Sequence, residues 1–259
     1  MGVPYEALGQ KLFDALRSGQ SIAPLTDTYP DMTIDDAYEV SLEFLKIRQT
    51  FNKEKIVGKK IGLTSEAVQN MLGVHQPDFG ILTDVMQVTD GQVHLDCHIA
   101  ARAEAEIAFK LKKGLRGPGI TAQDVLDATE YVQPCFEIVD SRVTDWKVKI
   151  QDTVADNASC GVFVLGDDKV DPKDLDMASL EVIVTKNGQE ISRGLGSSVQ
   201  GAPQNAVAWL ANTLGQYGIP FEAGEVILSG SLVPLEPVVK GDSMNMTIAG
   251  FGSCDVEFV

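Results

Sequence analysis

Apolar residues near the start of the chain recur at four-residue spacing, Leu8, Leu12 and Leu16, and the pattern stops at Gly19. That spacing predicts an amphipathic helix over Tyr5 to Arg17, terminated by the glycine. A proline-containing loop, Ser21 to Asp31, follows. Thr33 and Asp36 then make a capping-box-like start in which Asp stands in for Glu. The helix they open carries Ala37, Tyr38, Ser41, Leu42 and Leu45 along one stripe. Lys55 to Leu63 reads as a strand, and Thr64 with Ser65 caps a short helix through Leu72 that ends at Gly73. His75 to Gly80 has turn chemistry throughout.

From about Gln92 the period of the pattern shortens to that of strands. Between Ala101 and Phe109 the alternation is clean: Arg102, Glu104, Glu106 and Ala108 fall on one side, Ala103, Ala105, Ile107 and Phe109 on the other. Thr121 with Asp124 caps a helix of about nine residues. Val132 to Val139 and Gly161 to Leu165 are further strands, and Lys186-Asn187-Gly188 between β-branched residues signals a tight hairpin within Glu181 to Ile191. Pro203 opens a helix to Leu214 with Ala206, Val207, Leu210 and Leu214 as its apolar face and Gly215 as its stop. Glu225 to Leu228, Met244 to Ile248 and Cys254 to Phe258 close the chain as strands. The layout is α+β: a mainly helical region over residues 1–90, then a β-rich body over 91–259.

Composition and charge remove whole classes of function. The 259 residues carry 21 basic and 37 acidic side chains, a formal net charge of −16. Such a field repels a phosphate backbone, which argues against a nucleic-acid partner. No apolar run approaches the ~20 residues of a membrane span, and Met1 to Arg17 lacks the basic head and unbroken apolar stretch of a signal peptide. Four cysteines, Cys97, Cys135, Cys160 and Cys254, are scattered without a C-x-x-C pair, as expected of reduced thiols in a cytoplasmic protein. Three histidines, His75, His94 and His98, sit in no metal or nucleophile motif, and there is no G-x-S-x-G, phosphate loop or dinucleotide fingerprint.

The acids are more informative. As a strand, Ala101 to Phe109 puts Glu104 and Glu106 on one face, roughly 6–7 Å apart at about 3.3 Å rise per residue. A solvated edge strand gives the same spacing. Glu137, however, interrupts the apolar run Cys135-Phe136-Glu137-Ile138-Val139, where the pattern demands an apolar residue. Three acids converging away from water need a cation, and oxygen-only ligation suits Mg²⁺ or Mn²⁺. Lys60 shares a strand face with Gly58 and Gly62, leaving room for a ligand against the backbone; a solvated lysine in a Gly-rich turn fits equally. Asp78 after Pro77 is by itself a turn former. The small polar run Asp152 to Gly161 is either a hydrogen-bonding wall or a connecting loop, and Ser229-Gly230-Ser231 can hold a carboxylate at a strand end. Arg102, on the face of the acids, balances their charge or pairs with a surface acid.

Four segments together resemble one family. Gly58-Lys59-Lys60-Ile61-Gly62-Leu63-Thr64-Ser65, Val74-His75-Gln76-Pro77-Asp78-Phe79-Gly80, Arg102 to Phe109 and Asp152 to Gly161 are similar to the 2-hydroxypenta-2,4-dienoate hydratases of the fumarylacetoacetate hydrolase superfamily, and the likeness continues to Leu228-Ser229-Gly230-Ser231-Leu232-Val233-Pro234. The resemblance implies a β-rich roll or sandwich core with an N-terminal helical region, a homo-oligomer (pentamer or decamer), and Mg²⁺ or Mn²⁺ on Glu104, Glu106 and Glu137. It makes Lys60 and Asp78 the acid/base pair, and places Ser159 and Ser231 against the substrate. The implied reaction is hydration of 2-hydroxypenta-2,4-dienoate to 4-hydroxy-2-oxopentanoate in meta-cleavage degradation of aromatic compounds.

Three rival readings carry different marks. The sister 4-oxalocrotonate (2-oxo-3-hexenedioate) decarboxylases resemble the chain in fold and acids but have an apolar residue where Asp78 stands. Carbon–carbon hydrolases of the superfamily use a Glu–His dyad that has no counterpart here. A non-catalytic partner subunit, associated with the pathway decarboxylase, would be expected to lack Lys60 or a metal ligand.

Overall fold

In a computed structural model, residues 2–65, 69 and 76–259 are described. Apart from Gln69, the helix expected after Thr64 and Ser65 lies outside the described residues, as does His75. Helix α1, Tyr5–Ser18, ends where Gly19 turns left-handed and its N–H reaches the Ala15 carbonyl. A short helix α2, Leu25–Thr28, interrupts the segment expected to be loop. Its Thr26 N–H and hydroxyl donate to the Asp152 carboxylate at 3.0 and 2.7 Å, a contact across 126 residues that no local pattern announces. Helix α3, Ile34–Phe51, opens on the expected capping box, with Thr33 and Asp36 satisfying each other's backbone N–H groups. The apolar stripes of α1 and α3 close on each other through Leu12, Phe13, Val40 and Phe44, and Val154 and Ala155 complete that cluster.

The strands are β1 Ile56–Gly62, β2 Asp78–Thr83, β3 Gln87–Val88, β4 Gln92–Val93, β5 Arg102–Leu111, β6 Thr129–Val139 and β7 Cys160–Leu165. They continue as β8 Glu181–Lys186, β9 Gln189–Leu195, β10 Val226–Leu228, β11 Glu236–Pro237, β12 Ser243–Ile248 and β13 Gly252–Phe258. Helices α4 Ala122–Ala128, α5 Ile150–Ala155 and α6 Pro203–Gln216 lie between them. Eight strands form one sheet, in the order β2-β1-β10-β5-β6-β7-β3 with β11 also on β5; the other five form β4-β13-β12-β8-β9. The two N-terminal strands β1 and β2 are thus built into the sheet of β5 and β6.

Alternation along these strands sorts the chain into two environments. Ile61, Phe79, Ala103, Ala105, Ile107, Phe109, Phe136 and Ile138 join the main core with Val182 and Val184 of β8, Met244 and Met246 of β12, and Val207, Leu210 and Leu214 of α6. The residues between them point to the opposite face of the larger sheet. There Ala108, Cys135, Phe163, Val226 and Leu228 form an apolar floor, and the charged residues interrupt it.

Two local expectations are corrected. Asp78 to Gly80 is not a turn: it starts β2, antiparallel to β1 with Gly62 opposite Asp78 and Lys60 opposite Gly80. Phe79 is held there by stacking on Tyr38, ring centres 4.3 Å apart. The small polar run after Lys149 is partly helical, α5, followed by three successive left-handed residues, Asn157, Ala158 and Ser159. Among the described residues no helix is long and apolar enough to cross a membrane.

Candidate active site

Register makes the site. β5 and β6 are antiparallel with Glu104 directly opposite Glu137, and Glu106 opposite Cys135. Like charges directly across a strand pair repel, yet three carboxylates gather: one oxygen from each of Glu104, Glu106 and Glu137 lies within 4.8 Å of the others. Glu106 and Glu137 are fully buried and Glu104 is half-buried. Glu106 Oε2 accepts the Gly230 N–H at 2.8 Å. Glu106 Oε1 and both Glu137 oxygens have no hydrogen-bond partner among the described residues. Orphaned carboxylate oxygens in a dry site cost several kcal/mol, and a hard divalent cation is the group that satisfies them together. The donor set fits a cation, and the chemistry of its oxygens fits Mg²⁺ or Mn²⁺.

Lys60 and Asp78 reach the same face from the next strands. β1 runs parallel to β10 with Lys60 beside Leu228, and β10 lies against β5. Lys60 Nζ is 3.2 Å from Glu137 Oε1, close enough for an ion pair although outside hydrogen-bond geometry. Asp78 is buried, with neither carboxylate oxygen hydrogen-bonded among the described residues. Gly62 is what lets them meet: a Cβ there would overlap Asp78 Oδ1 and stand 3.5 Å from Lys60 Nζ. Burial alone would pull the Lys60 ammonium down, but Glu137, Asp78 and Glu104 outweigh it and hold it above its usual value. Burial pushes Asp78 up, and Glu137 adds to it while Lys60 opposes.

Two loops frame the site. Asn157 clamps β2 by its side chain: the amide donates to the Ile81 carbonyl at 2.9 Å and its oxygen accepts the Ile81 N–H at 2.8 Å. The loop is tethered below by Asp156, which is ion-paired with the fully buried Arg142 at 2.5 Å. Ser159, also buried, has its hydroxyl 3.4 Å from Asp156 Oδ2. Gly230 is left-handed, φ 105°, and a Cβ on it would strike Thr64. Ser231 donates its hydroxyl to the Val233 carbonyl at 2.8 Å. Sequence reasoning names Gly62 only as room for a ligand beside Lys60, where the structure gives that room to Asp78, and it passes over the roles of Asn157 and of the Arg142–Asp156 pair. Only the φ-tolerant Asn and the missing Cβ carried a signal, and neither means anything before β2 is placed.

The acids make a pH prediction for the protein held in chelator. Burial first, then Glu137, raises Glu104 from 4.5 to about 7; burial, Glu137 and Glu104 raise Glu106 well above 4.5. Folded-state values above the unfolded ones mean that the folded chain holds more protons. Glu104 therefore contributes stability that is full below about pH 4.5 and is lost as pH rises through about 7, and Glu106 adds a loss in the same direction. Lys60, also raised, acts only above about pH 10. Chelated protein is expected to lose about 5 °C or more in Tm between pH 5 and 8. Mg²⁺ at pH 8 restores it with release of protons. A Tm that rises with pH under chelation, or ignores Mg²⁺ at pH 8, contradicts the assignment.

Comparison with known proteins gives the family. Residues 69–259 match the model of the fumarylacetoacetate (FAA) hydrolase C-terminal family. A 2-hydroxyhexa-2,4-dienoate hydratase of Comamonas testosteroni is 60% identical over 98% of this chain and 97% of that one. A 2-keto-4-pentenoate hydratase of Paraburkholderia xenovorans is 45% identical over 98% and 94%. Among solved structures, 4-oxalocrotonate decarboxylase from Pseudomonas putida G7, complexed with magnesium and adipate, superposes with a TM-score of 0.94 at 36% identity, covering 98% of this chain and 97% of that one.

Proposed function

The chain belongs to the fumarylacetoacetate hydrolase family, and from that premise we propose that it is a hydro-lyase of meta-cleavage catabolism, converting 2-hydroxypenta-2,4-dienoate and water to 4-hydroxy-2-oxopentanoate. The observation that carries this reading is one sheet face holding the Glu104–Glu106–Glu137 triad beside Lys60 and Asp78. Mg²⁺ or Mn²⁺ on the triad would supply Lewis-acid charge to a substrate oxygen that turns negative.

The rest is proton transfer by the chain itself. The dienol loses the proton of its C2 hydroxyl and gains one at C5, giving a 2-oxo-3-enoate whose C4 is electrophilic. Water oxygen then adds at C4, one of its protons leaving and one arriving at C3. Each step needs a donor and an acceptor. Lys60 and Asp78, an ammonium and a carboxyl that share one buried corner, provide both. In this reading Ser159 and Ser231 are the substrate-binding hydroxyls. Assembly as a homo-oligomer, and association with the pathway decarboxylase, belong to the same reading.

Decarboxylation of 2-oxo-3-hexenedioate is the second reading, favoured by the close superposition on the decarboxylase. Buried Asp78 weighs against it, because it would repel a second substrate carboxylate but can activate water. The test offers the purified chain both substrates with Mg²⁺. Hydration of the dienoate, seen as loss of its ultraviolet band without CO₂, is expected. CO₂ from the dicarboxylate with no hydration of the dienoate would overturn it.

A further inference from the structure

Arg102 begins β5 two residues before Glu104 and shares its face, yet the hydration gives it no task. In a chain of net charge −16, Arg48, Arg142 and Arg193 are each paired with a carboxylate, whereas Arg102, like Arg17 and Arg116, has no ion pair among the described residues. Its guanidinium carbon instead lies 4.7 Å from the centre of the Trp146 ring. Trp146 is held there against local preference. It and Asp145 are both left-handed, φ 55° and 57°, a conformation that costs a bulky residue of order 1 kcal/mol, and the indole N–H donates to the Ala100 carbonyl at 2.9 Å.

This cation–π pair walls a cavity of about 440 Å³, with Ile99 and Val239 as apolar sides and Lys240 and His98 also lining it. Arg102 and Lys240 bring two positive charges to it. Lys240 is paired at 3.8 Å with the exposed Asp96, and the buried Asp140 carboxylate lies behind the cavity wall, engaged by main-chain N–H groups. The Ile99 and Ala100 N–H groups are not available to a ligand, since both donate to Asp140 at 2.7–3.0 Å. A phosphate cradle of main-chain donors is therefore missing. What remains is a guanidinium fork held over an aromatic ring, a group that suits a carboxylate, beside aliphatic walls for a short carbon chain.

We propose that this cavity is a second ligand site, separate from the carboxylate triad, that binds a small organic carboxylate through Arg102 with its carbon tail against Ile99 and Val239. The proposal stands on the cavity and its cation, not on the hydration reaction. Its test uses the full chain in chelator, so that the triad is empty of metal, with butanoate as the probe and calorimetry and saturation-transfer NMR as the readouts.

Butanoate is expected to bind wild type and Glu106→Gln alike and at least tenfold more weakly to Arg102→Leu, with inorganic phosphate failing to displace it. Val239→Trp, which fills the cavity from an exposed position, is expected to give the same loss and decides the matter if Arg102→Leu does not fold. Absence of binding to wild type, loss of binding in Glu106→Gln, retention in Val239→Trp, or displacement by equimolar phosphate would each overturn the assignment.

Discussion

Glu106→Gln is expected to lower metal-dependent turnover by about a thousandfold or more, the loss that follows when several kcal/mol of Lewis-acid stabilisation is withdrawn, while the chain still folds. The substitution removes one charge from a triad whose oxygens lie within 4.8 Å of one another, and an amide is a far poorer ligand for a hard cation than a carboxylate. The contact that positions the side chain survives, because the Gln carbonyl can still accept the Gly230 N–H now donated to Glu106 Oε2. The fold should gain from the change under chelation. Glu106 is pushed up by burial and by Glu137 and Glu104, so a neutral side chain relieves a repulsion that wild type bears at neutral pH. Calorimetry in chelator should find Tm equal or higher in the variant, and titration with Mg²⁺ should find weakened binding. Wild-type turnover by Glu106→Gln in chelator would remove the metal from the mechanism.

The part of this site that the sequence makes legible is the part governed by local periodicity. Alternation puts Glu104 and Glu106 on one face, and Glu137 stands out because it breaks an apolar run. Spacing alone leaves a solvated edge strand equally open, because what separates the two is cross-strand register. Glu104 faces Glu137, a relation between residues more than 30 positions apart in sequence. Lys60 is legible through its flanking glycines, but the reason for Gly62 appears only when Asp78 lies opposite it. Asp78 itself follows proline and precedes Phe-Gly, turn chemistry in any window. It is strand because β1 offers a partner, Tyr38 stacks on Phe79, and Asn157 pins Ile81 from 76 residues away. The Ser229-Gly230-Ser231 loop reads as a place to hold a carboxylate, and it holds one: the protein's own Glu106.

Removing Lys60 or Asp78 should separate proton transfer from metal binding. Lys60→Met is expected to reduce kcat by about 10²–10⁴-fold, the range of a single acid–base group, with KM changed little if the substrate is anchored elsewhere. Lys60 Nζ lies 3.2 Å from Glu137 Oε1 and brings the only positive charge among the described residues that is ion-paired to the triad. Its loss leaves the three carboxylates more negative, so Mg²⁺ should bind at least as tightly as in wild type, and a fall in kcat cannot be traced to lost metal. Asp78→Asn carries a complementary signature. Burial and Glu137 raise the Asp78 carboxyl above its usual range, so the wild-type rate should fall on the acid side as that carboxylate takes up its proton; the Asn variant, with nothing to titrate, should lose that limb along with most of its rate. The double variant should be little slower than the worse single one, because two groups that pass one proton fail together. A Lys60→Met enzyme with wild-type kcat, or an Asp78→Asn enzyme that keeps the acid limb, would take the proton chemistry away from this corner of the sheet and leave Ser159 and water as the groups to examine.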